Sequence, residues 1–338
     1  MAPLNFESDD DFEFVMILSL LSRKPVTISH LSNVENKIEF LEFLKCISPE
    51  LNYQIAANSL DFTPGALIGG KQCKNTSSIC QFLKPIILLS PFLKDDLVLQ
   101  CNGTTNDSES VDSYKITFYS IFKLFRIPGF EINIKKRGFP PEGDGIVVFK
   151  SQAVKCLENV ELEDAEKILK IRGMVISARI SSDTSHRLIK EIKNRMGDLA
   201  NTKVLCIVNN RNDSGPSPGF ECSVFAESKN GVFYNTRSSA LHSGETPEKM
   251  AKKCCFLLLK NIQSGGIFDV KLMPSIILYM GLAVSVGNIR IGVLDEQSKR
   301  MLKLMNQFFG VEHRVVSSGE EQVLSIVGCG YKNPFRPL

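Results

Sequence analysis

Three strand-like segments that run into glycine-rich turns constrain the fold most. They occupy residues 60–70, 137–145 and 327–331. The first two lie about 70 residues apart, whereas the third follows much later. A repeat of about 75 residues, with a further segment inserted before its last copy, accounts for this spacing.

Loop signals locate the predicted insertion. A serine-rich stretch begins at residue 181, and a Ser-Gly-Gly sequence occupies residues 264–266. We therefore predict a core domain of residues 1–180 and 266–338, with a small α/β domain of residues 181–265 inserted into it. Within the insert, the polar segment 209–219 is expected to be an exposed and mobile loop.

Helical and strand patterns alternate along the chain, which predicts an α/β or α+β class. Apolar periodicity and capping residues predict helices over 38–47, from Asp112 to 125, over 162–171, 188–196, 246–262 and 274–283, and from Asp295 to Gly310. Alternating apolar residues predict strands over 130–135, 145–149, 174–180, 203–208, 221–226, 232–234, 290–294 and 322–327.

Composition excludes several classes of protein. The net charge of +3 is too small for strong non-specific binding to nucleic acid through the overall field. Ten cysteines form no Cys-x-x-Cys pair, which favours reduced, buried thiols and predicts no metal site. The first thirteen residues are acidic rather than basic, unlike a targeting peptide. The uncharged run 272–289 contains Pro274 and Gly281, so we predict a buried helix there and no membrane span.

Residues 65–71 match the spacing of a phosphate-binding loop, but Gln72 occupies the position of the magnesium-binding hydroxyl and no helix is predicted to follow. A tight turn is the better interpretation. The four histidines are scattered and indicate surface or structural positions rather than a catalytic pairing.

The densest basic run lies at a predicted strand end beside a glycine-rich turn. Two readings stay open: a solvated strand end, or a contact to phosphate, RNA or a partner through long cations and backbone N–H groups. On the second reading, replacing Lys136 and Arg137 by alanine weakens RNA binding and leaves thermal stability nearly unchanged. The candidate contact residues are Lys135, Lys136, Arg137, Gly138, Gly143 and Gly145.

Seven segments together resemble, in their order along the chain, the RNA 3'-terminal phosphate cyclase family, and most closely its cyclase-like branch. The resemblance extends from about Arg23 to Lys332. The segments are LDFTPGALIGG (60–70), LLSPFLK (88–94), GTTND (103–107), KRGFPPEGDG (136–145), KIRGM (170–174), SPGF (217–220) and SGG (264–266).

The resemblance implies three βαβαββ repeats, similar to the C-terminal domain of translation initiation factor three, with a thioredoxin-like domain inserted in the last repeat. It also implies a test of catalysis, because cyclases attach AMP to the histidine of a His-Leu-Ala-Asp-Gln motif. Here Lys271 stands at the histidine position, and Pro274 and Ser275 stand at the Asp and Gln positions. The glycine-rich N-terminal segment and the arginine-containing loop of cyclases are also missing from residues 7–40.

The cyclase-like branch implies a non-catalytic assembly factor of the nucleolar small-subunit processome. Such a factor binds a ribosome-biogenesis GTPase and pre-rRNA, and it is required for the early cleavages of 18S rRNA maturation. A pre-rRNA endonuclease and, less favoured, an ATP-dependent RNA 3'-phosphate cyclase using Lys271 are the alternatives. No cofactor and no catalytic residue are predicted for the favoured function.

Overall fold

A computed structural model of the chain describes residues 2–164, 167–199, 201–239, 245–318 and 321–336. Within these ranges the chain forms helices and four small β-sheets, which confirms the predicted mixture of α and β structure.

The first sheet is built from the N-terminal segment. Its elements are β1 (Leu4–Phe6), α1 (Phe12–Ser22), β2 (Val26–Ile28), α2 (Val34–Leu44), β3 (Asn52–Ala56) and β4 (Ser59–Thr63). The strand order is β1-β2-β4-β3, in which β1 and β2 are parallel and the other pairs are antiparallel.

The second sheet repeats this arrangement. Its elements are β5 (Gly70–Ser78), α3 (Ile79–Leu89), β6 (Leu97–Thr104), α4 (Val111–Leu124), β7 (Glu131–Lys136) and β8 (Gly145–Ser151). The order is β5-β6-β8-β7, so β7 is an edge strand.

A separate sheet interrupts the third. After β9 (Glu161–Leu162) come β10 (Lys170–Ala178), α5 (Ser182–Met196), β11 (Lys203–Asn209), β12 (Gly219–Glu227), β13 (Val232–Ser239) and α6 (Pro247–Gln263). Their strands are ordered β11-β10-β12-β13. The third sheet then continues with α7 (Met273–Leu282), β14 (Val286–Ile291), α8 (Glu296–Phe309), β15 (Glu312–Ser318) and β16 (Glu321–Val327).

The third sheet has the order β9-β14-β16-β15, which is the order of the first two sheets. Strand β10 precedes residue 181 and nevertheless pairs with β11 and β12. A domain boundary at residue 181 would therefore separate β10 from the other strands of the interrupting sheet. This sheet begins with β10, ahead of residue 181. The division into a core and an inserted domain stays a prediction.

Two apolar cores and a smaller third cluster hold these layers together. The larger core joins the helices of the three similar sheets, and Tyr279 of α7 is completely buried within it against Phe92, Phe122 and Phe125. The smaller core lies between the interrupting sheet and helices α5 and α6. A third cluster, which includes Phe139 and Phe225 with Ile116 of α4 against it, joins the interrupting sheet to the second one.

Capping residues set several helix ends as predicted. The Asp295 side chain accepts the Ser298 N–H at 2.8 Å, and Gly310 ends α8 with a φ of 68°. The buried helix predicted over 274–283 is present as α7. No helix formed by the described residues is long and apolar enough to cross a membrane.

Other predictions were wrong. The described residues of 162–171 form no helix, because Lys170 and Ile171 lie in β10, where they pair with β12. The N-cap of α4 is Ser110, and Asp112 lies inside the first turn. The glycine-rich turn at 137–145 joins β7 to β8, whereas the other two follow the last strand of a sheet. In contrast, the prediction that no helix follows residues 65–71 is confirmed, because residues 65–69 lead into β5.

Candidate functional site

A cavity of about 410 Å³ opens between the second sheet's helices and the segment that precedes α7. Residues far apart in the chain form its walls. They are Glu13, Gln81, Lys84, Ser108, Glu109, Ser113, Tyr114, Thr117, Phe118, Asn235, Asp269, Lys271 and Leu272.

Hydrogen bonds fix the wall that carries Lys271. The buried Asp269 carboxylate accepts the Asn261 Nδ2–H at 2.7 Å and the backbone N–H of Lys271 at 3.0 Å. Burial raises the pKa of Asp269 above its usual value, and these hydrogen bonds oppose the rise. The Lys271 side chain is exposed and lines the cavity.

A second carboxyl group of the lining belongs to Glu13. Burial raises the pKa of Glu13 in the first turn of α1, while Lys84 lowers it and Glu109 raises it further. Lys84 Nζ lies 5.5 Å from the centroid of the Phe14 ring. The cavity thus combines carboxyl groups that hold their protons more tightly than usual with two lysines, a lining that suits a polar ligand.

Arg237 of β13 joins the interrupting sheet to this cavity. It donates to the backbone carbonyls of Asp107 at 3.0 Å and Ser108 at 2.7 Å, and it pairs with the buried Glu221 at 2.8 Å. The loop that carries Glu109 is therefore held in place by the neighbouring sheet. No group of three or more potential metal ligands occurs among the described residues.

Of the three residues at the predicted cyclase motif, only Lys271 lines the cavity. Pro274 lies in the first turn of α7, and its side chain is buried. Ser275 is completely buried in the same helix, and its Oγ has no hydrogen-bond partner among the described residues. Neither Pro274 nor Ser275 can contact a ligand in the cavity.

The predicted basic turn has a different geometry from the one expected. Lys135 is exposed, and Lys136 Nζ pairs with Asp144 at 2.5 Å. Arg137 is only 4% exposed and forms a bidentate ion pair with the buried Asp112. The expectation that Arg137 reaches a phosphate from the surface is wrong. The register of β7 shifts between Ile134 and Lys136, and beyond this irregularity Arg137 lies inside the fold.

The glycines of this turn serve close backbone packing. The Gly138 N–H donates to Thr105 Oγ1 at 3.0 Å, and the Gly143 N–H donates to the Phe139 carbonyl at 2.9 Å. A Cβ on Gly138 would lie 2.5 Å from the Gly145 nitrogen. The N–H groups of Gly138 and Gly143 are therefore already used, which corrects the prediction that both face an anion. A contact through Lys135 and Lys136 stays a prediction.

The segment 209–219 is only partly the exposed loop that the sequence predicts. Residues 210–213 are exposed, but Ser214, Gly215 and Ser217 are buried against the basic turn. The Gly215 N–H donates to the Arg137 carbonyl at 2.7 Å, and the Glu142 N–H donates to Ser217 Oγ at 3.1 Å. This half of the segment is fixed rather than mobile.

The scattered histidines that the structure describes, His30, His186 and His313, are exposed, and His242 lies outside the described residues. Sequence reasoning missed Glu13, Lys84 and Asp269. Their spacing carries no signal, since α1, α3 and the segment before α7 meet only in the fold.

Comparison with known proteins identifies the family. The model of the RNA 3'-terminal phosphate cyclase family matches residues 12–315. The RNA 3'-terminal phosphate cyclase-like protein of Mus musculus is 30% identical over 353 aligned positions, covering 96% of this chain and 95% of that protein. The rRNA processing protein rcl1 of Schizosaccharomyces pombe is 29% identical, with coverage of 96% and 95%.

Among solved structures, the enolpyruvyl transferase NikO of Streptomyces tendae covers 92% of this chain and 62% of its own, at 14% identity and a TM-score of 0.26. That similarity is too low to indicate a shared overall fold. The family match covers most of the chain, and the similar proteins from several eukaryotes are named cyclase-like. The chain therefore belongs to the RNA 3'-terminal phosphate cyclase family, in its cyclase-like branch.

Proposed function

We propose that this protein is a non-catalytic assembly factor for rRNA processing. It acts in the nucleolar small-subunit processome, where it binds pre-rRNA and a ribosome-biogenesis GTPase and supports the early cleavages of 18S rRNA maturation. The similarity to an rRNA processing protein of Schizosaccharomyces pombe along nearly the whole chain supports this role.

The surroundings of Lys271 carry the non-catalytic part of the proposal. A lysine nucleophile depends on an apolar, desolvated pocket or on a neighbouring cation. Lys271 is exposed to solvent, and the residue two positions before it is the carboxylate Asp269. Pro274 and Ser275, which occupy the other two motif positions, are buried in α7. Of the three motif positions, only Lys271 is thus left to contact a ligand in the cavity, which supports a binding role over a catalytic one.

A pull-down tests the proposal against its alternatives. The full chain is immobilised through a tag, incubated with nucleolar extract and eluted for identification of proteins and RNA. The proposal expects a ribosome-biogenesis GTPase together with RNA that contains uncleaved 18S precursor. A bead-bound unrelated protein of similar charge is the control.

The same purified chain is then incubated with a precursor fragment that spans an early cleavage site. The proposal expects the fragment to stay intact. Cleavage by the chain alone would support the endonuclease alternative, and formation of a cyclic 3'-phosphate with ATP would support the cyclase.

A further inference from the structure

A second groove is distinct from the cavity that Lys271 lines. It has a volume of about 870 Å³ and lies on the opposite side of α4. Helix α4, the edge strand β7, Arg172 of β10 and the turn between β12 and β13 form its walls. The turn lies directly against α4, since a Cβ on Gly231 would lie 2.9 Å from the Ser120 Cβ.

One face of α4 gives the groove an aromatic surface between two cations. Lys115, Tyr119 and Lys123 are spaced four residues apart, and all three are exposed. Residues at this spacing lie above one another on a helix, and the two lysines are about 12 Å apart along its axis. Tyr119 is 58% exposed, so its ring is accessible to a ligand.

The groove is lined by more positive than negative side chains. Its carboxylates, Glu131 and Glu227, are both paired, with Lys150 at 3.0 Å and with Lys170 at 3.3 Å respectively. Arg172 also lies 3.7 Å from Glu227. Within the part of the chain that the structure describes, Lys115, Lys123 and Lys229 form no ion pair, so their charge is available to a ligand.

The edge strand extends this positive surface. Glu131, Asn133 and Lys135 alternate along the exposed face of β7. The groove ends at Asn133, and the exposed Lys135 lies beyond it, where the register of β7 shifts between Ile134 and Lys136. The exposed lysine of the basic run therefore follows the end of the groove in the chain, whereas Arg137 lies inside the fold.

The geometry points to a binding site for single-stranded RNA in this groove, with a base stacked on Tyr119 and the backbone phosphates beside Lys115, Lys123 and Lys229. An exposed aromatic ring flanked by cations is how proteins bind unpaired bases and their phosphates together. A closed duplex offers no free base face to such a ring. This inference rests on the proposed role in rRNA processing and assigns that role a contact surface.

Fluorescence anisotropy of a labelled oligouridine of about 12 nucleotides tests the site at several salt concentrations. Tyr119→Ala is expected to weaken binding about tenfold through loss of stacking, while Tyr119→Phe binds like wild type. Replacing Lys115 and Lys123 together by alanine is expected to lower the slope of log affinity against log salt by about 1.4.

Helix α6 supplies a matched control, because Lys252, Phe256 and Lys260 repeat the same spacing on an exposed face outside the groove. Phe256→Ala and the double variant of Lys252 and Lys260 are expected to leave affinity and salt slope close to wild type. Equal losses from the α4 and α6 variants would overturn the site.

The remaining outcomes separate this site from the proposed function. If the wild-type chain binds the RNA and Tyr119→Ala binds it equally well, the groove is not the binding site, but the proposed function stands. Absence of any binding by the wild-type chain would overturn both the groove and the RNA contact of the proposed function. If oligoglutamate of equal charge binds as tightly and with the same dependence on Tyr119, the groove receives an acidic protein segment and the RNA inference is wrong.

Discussion

Removing the ion pair between Arg137 and Asp112 tests whether Arg137 of the basic turn stabilises the fold. Both side chains are buried, and the guanidinium donates through both terminal nitrogens to the carboxylate and also to Asn106 Oδ1 at 3.1 Å. Arg137→Ala would leave Asp112 charged and buried, with only the amino-terminal end of α4 to stabilise it.

Removing one partner of a buried ion pair costs about 3–5 kcal/mol. We therefore expect Arg137→Ala to lower the free energy of unfolding by this amount, which contradicts the near-neutral effect predicted from the sequence. Lys136→Ala is the matched control, because its pair with Asp144 is far more exposed and such pairs contribute about 0.2–1 kcal/mol.

Urea denaturation followed by circular dichroism measures both effects. A third variant, Arg137→Met with Asp112→Leu, replaces the pair by apolar side chains of similar volume and is expected to recover most of the loss. A loss below about 1 kcal/mol for Arg137→Ala would refute the reasoning, since it would show that Asp112 does not depend on its partner.

Three further predictions concern the cavity and the loop. Burial raises the pKa of Asp269, so the folded chain binds this proton more tightly than the unfolded chain, and the stability from this group falls as pH rises above about 4. The urea midpoint of the wild type, compared with that of Asp269→Asn, should therefore fall between about pH 4 and about pH 7. A difference between the two midpoints that stays constant with pH would contradict this. Brief digestion with proteinase K should cut the loop within residues 210–213 and spare 214–217, as mass spectrometry of the fragments would show; early cuts in 214–217 would contradict the docking. Incubation with labelled ATP and magnesium should leave no covalent label on the chain, and a stoichiometric label that Lys271→Ala abolishes would show an active nucleophile.

Local signals predicted the elements whose ends are set by their own residues. Thr246 and Asp295 accept N–H groups from the first turns of α6 and α8, and the Pro-Gly-rich turn between β7 and β8 lies where the sequence indicates. Helix α3 escaped prediction because it contains Pro85, a residue that normally breaks a helix. Helix α1 is buried on nearly every side and so lacks an amphipathic pattern.

The candidate site depends on contacts that sequence spacing does not reveal. Asp112 lies 25 positions before Arg137, and the basic run itself gives no sign that one of its members points inward. The walls of the cavity come from α1, α3, α4 and the segment before α7. Only Lys271 was predicted among its residues, through the family resemblance.

Depletion and rescue in the protein's own cells test the central claim most directly. The account predicts that depletion leaves the early 18S precursor cleavages incomplete on northern blots, and that wild type and Lys271→Ala restore them equally at matched protein abundance. Rescue by wild type but not by Lys271→Ala would contradict the non-catalytic role, and normal precursor cleavage after depletion would contradict the role in rRNA processing.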